Sequence, residues 1–158
     1  MSEIAIETLI NAPIQRCFDL SRSIDLHIES SKNTQEKAID GKKEGLIELN
    51  EFVKWEAVHF HLRFYLTVKI TKFDSPVMFT DEMINGNFKS MKHEHHFSMI
   101  NTGTLMKDVF KYELPYGLLG YITDNLFLYS YLKNFLTERN KFIKEAAETE
   151  RWKVFLKH

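Results

Sequence analysis

The 158-residue chain has little of several things that would fix its class at once. It has one cysteine, Cys17, so it has neither an internal disulfide framework nor a cysteine-based zinc site. It has three prolines and six glycines, and no Pro/Ser-rich linker, low-complexity tract or repeat divides it. Neither sign of charge prevails: 21 Lys+Arg stand against 22 Asp+Glu, a net charge of −1, and no basic field marks a nucleic-acid binder. No signal-peptide pattern opens the chain, which makes a cytoplasmic protein the expectation. The most apolar stretch, 114–132, is broken by Thr123-Asp124-Asn125, and a charge at mid-span is expensive in lipid. No integral membrane segment is expected. Aromatic residues are plentiful instead: 13 Phe, 6 Tyr and 2 Trp.

Periodicity gives the order of elements. Ile4, Ile6, Thr8 and Ile10 alternate as one face of a strand. Pro13 then suits the first helical position, with Ile14, Cys17, Phe18 and Leu20 or Ser21 as the apolar stripe. Ser23 has the right chemistry to cap a second short helix. Strands are predicted over 35–40, 46–60 and from Leu62 onward, where Leu62, Phe64, Leu66, Val68 and Ile70 share a face opposite Arg63, Tyr65, Thr67, Lys69 and Thr71. Further strands follow at 77–84, 89–100 and 104–114, with Asn85-Gly86 as a hairpin turn and Asn101-Thr102-Gly103 as another. The remainder reads as one helix of about 30 residues. Its apolar stripe is Leu118, Ile122, Leu126, Tyr129, Leu132, Leu136, Phe142 and Ile143; Asp124, Lys133, Glu138, Arg139 and Lys144 fall elsewhere around the axis. Gly117 and Gly120 supply the tight turn ahead of it.

The order predicts an α+β fold: a seven-stranded antiparallel sheet curled around a long C-terminal helix, with two short helices after the first strand. Seven strands at about 4.8 Å are roughly 34 Å wide, whereas one helix is about 10–12 Å across. A sheet that wraps a single rod leaves space between them, so an internal cavity is expected, with its mouth near the short helices. Residues 1–147 read as one domain and 148–158 as a helix extension or tail, in which Trp152 is a candidate protein contact.

This arrangement resembles the helix-grip fold of START lipid-transfer domains, the birch-pollen-allergen family and the polyketide cyclase/dehydrase families. It is most similar to small bacterial members of that SRPBCC superfamily. The resemblance rests on Ala12-Pro13-Ile14 with Phe18, on Phe79-Thr80-Asp81-Glu82-Met83 and on Gly86-Asn87-Phe88-Lys89. It extends through His93-Glu94-His95 with Phe97, Gly103-Thr104-Leu105-Met106 with Asp108, and Pro115-Tyr116-Gly117-Leu118-Leu119-Gly120. It implies binding of a hydrophobic ligand by carriers, sensors or cyclases. Some relatives carry a cell-division-inhibitor label.

His93 and His95 share a strand face with Met91, Phe97 and Met99, which points that face inward. A hairpin turn at 101–103 brings His95 near Asp108 and His93 near Phe110. Three readings of this cluster stand side by side: a structural network, a group that orients a ligand, and an acid–base pair in which His95 and Asp108 are the catalytic candidates. The expected ligand-binding residues are His93, His95, Asp108, Met91, Phe97, Phe110, Trp55, Phe64, Leu66 and Tyr129. Strand alternation allows only one of Asp81 and Glu82 to face a pocket. No metal or other cofactor is expected, because nothing in the spacing fixes a third ligand beside His-X-His. Cys17 reads as a small core residue. The expected function is non-catalytic carriage of a lipid, quinone, isoprenoid or aromatic metabolite. An enzyme using the same pocket is one alternative; a self-filled interaction protein with a protein partner or a weak homodimer is the other.

Overall fold

A computed structural model describes residues 1–157, and of Tyr121 the backbone only. The strands are β1 (Ser2–Ile10), β2 (Lys37–Gly41), β3 (Phe52–His59), β4 (Leu62–Asp74), β5 (Met78–Gly86), β6 (Ser90–Ile100) and β7 (Gly103–Glu113). They form one antiparallel sheet in the order β1-β7-β6-β5-β4-β3-β2. Between β1 and β2 lie α1 (Ile14–Ser21) and α2 (Ile24–Ser30). After β7 come α3 (Gly117–Thr123), one π-helical turn (Asp124–Leu128), α4 (Tyr129–Glu148) and α5 (Trp152–Phe155). The fold is the expected α+β helix grip.

Local chemistry sets the ends of these elements. Pro13 stands in extended backbone at the N-cap of α1, one position before the helical place expected for it and without a side-chain capping bond, whereas the Ser23 hydroxyl accepts from the Leu26 amide to start α2. The β6–β7 hairpin turns at Asn101-Thr102, and Gly103 follows at φ 144°; a Cβ there would meet the Ile10 carbonyl at 2.2 Å. That one turn fixes the register of the two strands that carry the histidines and Asp108.

Three expectations need correction. Residues 46–51 are not strand: Ile47 turns inward and donates its amide to the Arg22 carbonyl, and β3 begins only at Phe52. Asn85-Gly86 is not the β5–β6 turn. Those residues continue β5 along Thr67 and Leu66 of β4, past two bulges, and the chain turns at 87–89. The terminal helix is not one rod with one apolar row. The π turn interrupts it, and Leu118, Ile122, Leu126 and Tyr129 are exposed, while Leu128, Leu132, Leu136 and Ile143 face the sheet.

Two polar residues read as outward-facing are buried. Asp124 accepts from the Tyr112 and Ser2 hydroxyls, tying the π turn to β7 and β1. Arg139 lies under α1 and donates to the Ser21 carbonyl at 3.1 Å.

Packing is uneven along the sheet. At the α1 end Phe18 is fully buried and meets Phe73, Phe79 and Phe97 edge-on, with centroids 5.4–5.5 Å away. After α4 the chain turns at Thr149; Leu156 is buried, Phe155 lies against Phe142, and the Arg16 guanidinium covers Trp152. His158, the last residue of the expected tail, lies outside the described residues.

Candidate functional site

The sheet and α4 enclose a cavity of about 290 Å³. Its walls come from β3 and β4 (Trp55, Ala57, Phe64, Leu66, Val68), from β6 and β7 (Met91, Phe110) and from α4 (Leu132, Phe135, Leu136). Alternation along each strand puts these side chains on one face, and the four-residue step Leu128, Leu132, Leu136 gives the helix wall. The exposed lining residues are Phe60 and Tyr65 of the β3–β4 hairpin region and Asn87 of the β5–β6 turn. The mouth therefore lies at the end opposite α1, not near the short helices as the sequence suggested. A second chamber of about 60 Å³ lies toward the α1–α2 junction, and His27, Trp55, Val68, Asp81 and Arg139 line both spaces.

At the inner end of the cavity stands a polar partition built on three adjacent strands. Register places His95 of β6 opposite Asp108 of β7, His93 opposite Phe110, and Asp81 of β5 opposite His93. A carboxylate only accepts, so the ring nitrogens donate. His93 Nε2 donates to Asp108 Oδ1 at 2.9 Å, and His95 Nε2 to Asp81 Oδ1 at 2.9 Å; His95 Nδ1 is paired with Asp108 Oδ1 at 2.9 Å. Asn140 of α4 donates to the other Asp108 oxygen at 2.7 Å. His93, His95 and Asp108 are each at most 4% exposed.

The electrostatics follow from these contacts. Burial works against charge on His95, and the two aspartates outweigh it and raise its pKa. Burial, with His95 beside it, lowers the pKa of His93. Burial alone would raise Asp108; hydrogen bonds from His93 and His95 prevail and hold its carboxyl well below the usual range. Asp81 is likewise lowered, against burial, by His95 and His93. Both ring nitrogens of His95 face carboxylates, which favours its protonated form, whereas burial and the neighbouring His95 disfavour protonation of His93.

Not all the sequence candidates meet at the cavity. Met91, His93, Phe110, Trp55, Phe64 and Leu66 line it. His95 lines the second chamber, and Asp108 stands behind both histidines. Phe97 does not reach the cavity, because it packs on Phe18 and Phe79 in the solid end. Tyr129 does not reach it either: the π turn rotates it outward, and Tyr131 takes the inner position and bonds His59 Nδ1 at 2.6 Å. Of the acidic pair on β5, Asp81 faces inward.

Sequence reasoning passed over Glu36, His27, Arg139 and Asn140. Glu36 Oε1 lies 3.1 Å from His27 Nε2, and the His27 ring stacks on Trp55 at 4.1 Å. Burial pushes the Glu36 carboxyl up, and His27 and Ser31 beside it bring it below its usual value. Among the described residues Arg139 Nε and Glu36 Oε2 have no hydrogen-bond partner. Asn140 had a legible signal, since it continues the Leu132, Leu136 step of four. Glu36 had none, because it follows a short 3-10 turn whose path no periodicity reveals.

Among solved structures, three illustrate the likeness. TTHA0849 from Thermus thermophilus is 16% identical with a TM-score of 0.71, over 92% of this chain and 99% of that one. CV1439 from Chromobacterium violaceum is 10% identical at 0.69, over 93% and 97%. The major latex-like protein 151 of Panax ginseng is 14% identical at 0.66, over 94% and 98%. No protein-family model matches the chain, and no curated protein matches it by sequence. At these identities the likeness shows the fold alone, a helix grip. No helix among the described residues is long and apolar enough to cross a membrane.

Proposed function

We propose that the chain binds and carries a hydrophobic small molecule, of lipid, quinone, isoprenoid or aromatic type, in the cytoplasm and without chemical change. The observation that carries this reading is the cavity of about 290 Å³, walled by aromatic and aliphatic side chains and open at one end. Apolar walls supply affinity by removing ligand surface from water. The polar partition supplies orientation, because Asp81 and His93 line the otherwise apolar cavity. A ligand with an apolar body and one polar end would seat that end against Asp81 and His93.

Native mass spectrometry of gently purified protein tests the reading. The expected result is a co-purified small molecule in the intact chain and its loss in Leu132→Trp, which fills the cavity from the α4 side. A wild-type chain that emerges empty under several extraction conditions, and binds no apolar fluorescent dye more tightly than Leu132→Trp does, overturns it.

A further inference from the structure

The partition has the construction of a metal site. Asp81, His93 and His95 each offer one donor atom, and these atoms lie within 4.8 Å of one another. The second ring nitrogen of each histidine is already engaged. Asp108 Oδ1 stands 2.9 Å from both His93 Nε2 and His95 Nδ1, and Asn140 Nδ2 steadies its other oxygen at 2.7 Å. A carboxylate behind a pair of imidazoles is the arrangement that orients metal-binding histidines and raises their basicity. The ring nitrogens not turned to Asp108 are His93 Nδ1 and His95 Nε2, and the latter already shares a proton with Asp81 Oδ1 at 2.9 Å. Ligands about 2.0–2.2 Å from a common ion in tetrahedral array stand roughly 3.3–3.6 Å apart. The Asp81–His95 pair, at the hydrogen-bond distance of 2.9 Å, is shorter than that and opens when an ion replaces the shared proton, while all three donor atoms already lie within 4.8 Å of one another.

We propose that Asp81, His93 and His95 bind a divalent first-row transition-metal ion, with Asp108 as the orienting residue behind both rings. Two imidazoles and one carboxylate match Zn²⁺, Co²⁺ or Fe²⁺ and disfavour the all-oxygen ions Mg²⁺ and Ca²⁺. Asp81 and His93 line the large cavity, so the ion's open positions face a space in which water or a ligand oxygen completes the coordination. In the metal-free chain a proton on His95 Nε2 bridges to Asp81. The ion takes that nitrogen and the proton leaves to solvent, so the step is a metal-for-proton exchange. The site does not depend on whether the cavity carries an apolar ligand.

The test uses the full chain, stripped with chelator, in a His61→Gln/His96→Gln background that removes two histidines unconnected with the site. Calorimetric titration with Zn²⁺ is expected to give one ion per chain, with proton release that scales with the ionisation enthalpy of the buffer. Co²⁺ is expected to give visible d–d bands. Asp81→Asn and His95→Gln are each expected to weaken binding by more than about 100-fold. Asp108→Asn, which touches no ion, is expected to weaken it by about 10–100-fold. Circular dichroism of each variant separates loss of ligand from loss of fold; should His95→Gln unfold, the Asp81→Asn result decides. Zn²⁺ binding that persists in folded Asp81→Asn, or a wild-type chain without saturable Co²⁺ bands, overturns the proposal.

Discussion

The two ends of the molecule are built from the same sheet and the same helix, yet one is solid and the other hollow. At the α1 end, Phe18 fills the groove between sheet and helix and touches three other phenylalanines. At the far end no short helix enters the groove, and aromatic side chains stand around an empty centre. An aromatic excess thus does two jobs, and the difference lies in whether an extra element plugs the groove. Between the ends the interior turns polar: Asp81, His93, His95, Asp108, Arg139 and Asn140 form a partition in which most polar atoms have partners.

Truncating one ring at each end breaks the comparison most directly. Phe18→Ala removes a ring from a filled space and is expected to cost about 3–5 kcal/mol in urea unfolding. Phe64→Ala enlarges a space that is already there, loses contacts on one side only, and is expected to cost well under half as much. Equal losses at the two positions would mean that the hollow end closes up in solution.

The strands and their register were legible because a β face repeats every two residues and one hairpin turn fixes the phase. Asn101-Thr102-Gly103 set His95 against Asp108 without reference to anything distant. The helix was legible only as a helix. Leu118, Ile122 and Leu126 make as good an apolar row as Leu128, Leu132 and Leu136, and a π turn between them decides which row faces the sheet. Periodicity reports that a row exists and is silent on which side the sheet lies. Arg139 failed for a related reason: its burial depends on the Ser21 carbonyl, 118 positions away.

The partition is expected to control the pH dependence of stability. Asp81 and Asp108 have lowered pKa values in the folded chain, so they stabilise it above the unfolded value of about 3.9. That contribution is lost as pH falls through the folded values. His95, with a raised pKa, stabilises below about 6.5, and its contribution is lost as pH rises through the folded value. His93, with a lowered pKa, acts in the opposite sense, favouring the fold above about 6.5. The acid limb therefore belongs to the aspartates, while the neutral limb is a difference between two histidines. Asp108→Asn is expected to cost about 3–5 kcal/mol near pH 6, because it removes the charged partner that two buried imidazoles share. It is also expected to flatten the acid limb measured by unfolding from pH 3 to 5 (both about the carboxylate range). A variant whose acid limb matches the wild type would place the acid sensitivity elsewhere.

The smallest expected effect concerns the helix row that faces solvent. Leu118 and Leu126 are 73% and 76% exposed. A leucine in that position contributes little to the fold, so Leu118→Ser and Leu126→Ser are each expected to change stability by less than about 0.5 kcal/mol. Leu136→Ala, on the row that faces the sheet, is expected to cost about 2–5 kcal/mol. The contrast bears on the helix phase more sharply than on any single side chain. If the unbroken apolar row from Leu118 through Tyr129 faced the sheet, both serine variants would lose as much as Leu136→Ala, and Tyr129 would regain the cavity position that Tyr131 holds. Unfolding curves of the three variants therefore distinguish the two phases, and near-silence at 118 and 126 beside a large loss at 136 is the signature of the π turn.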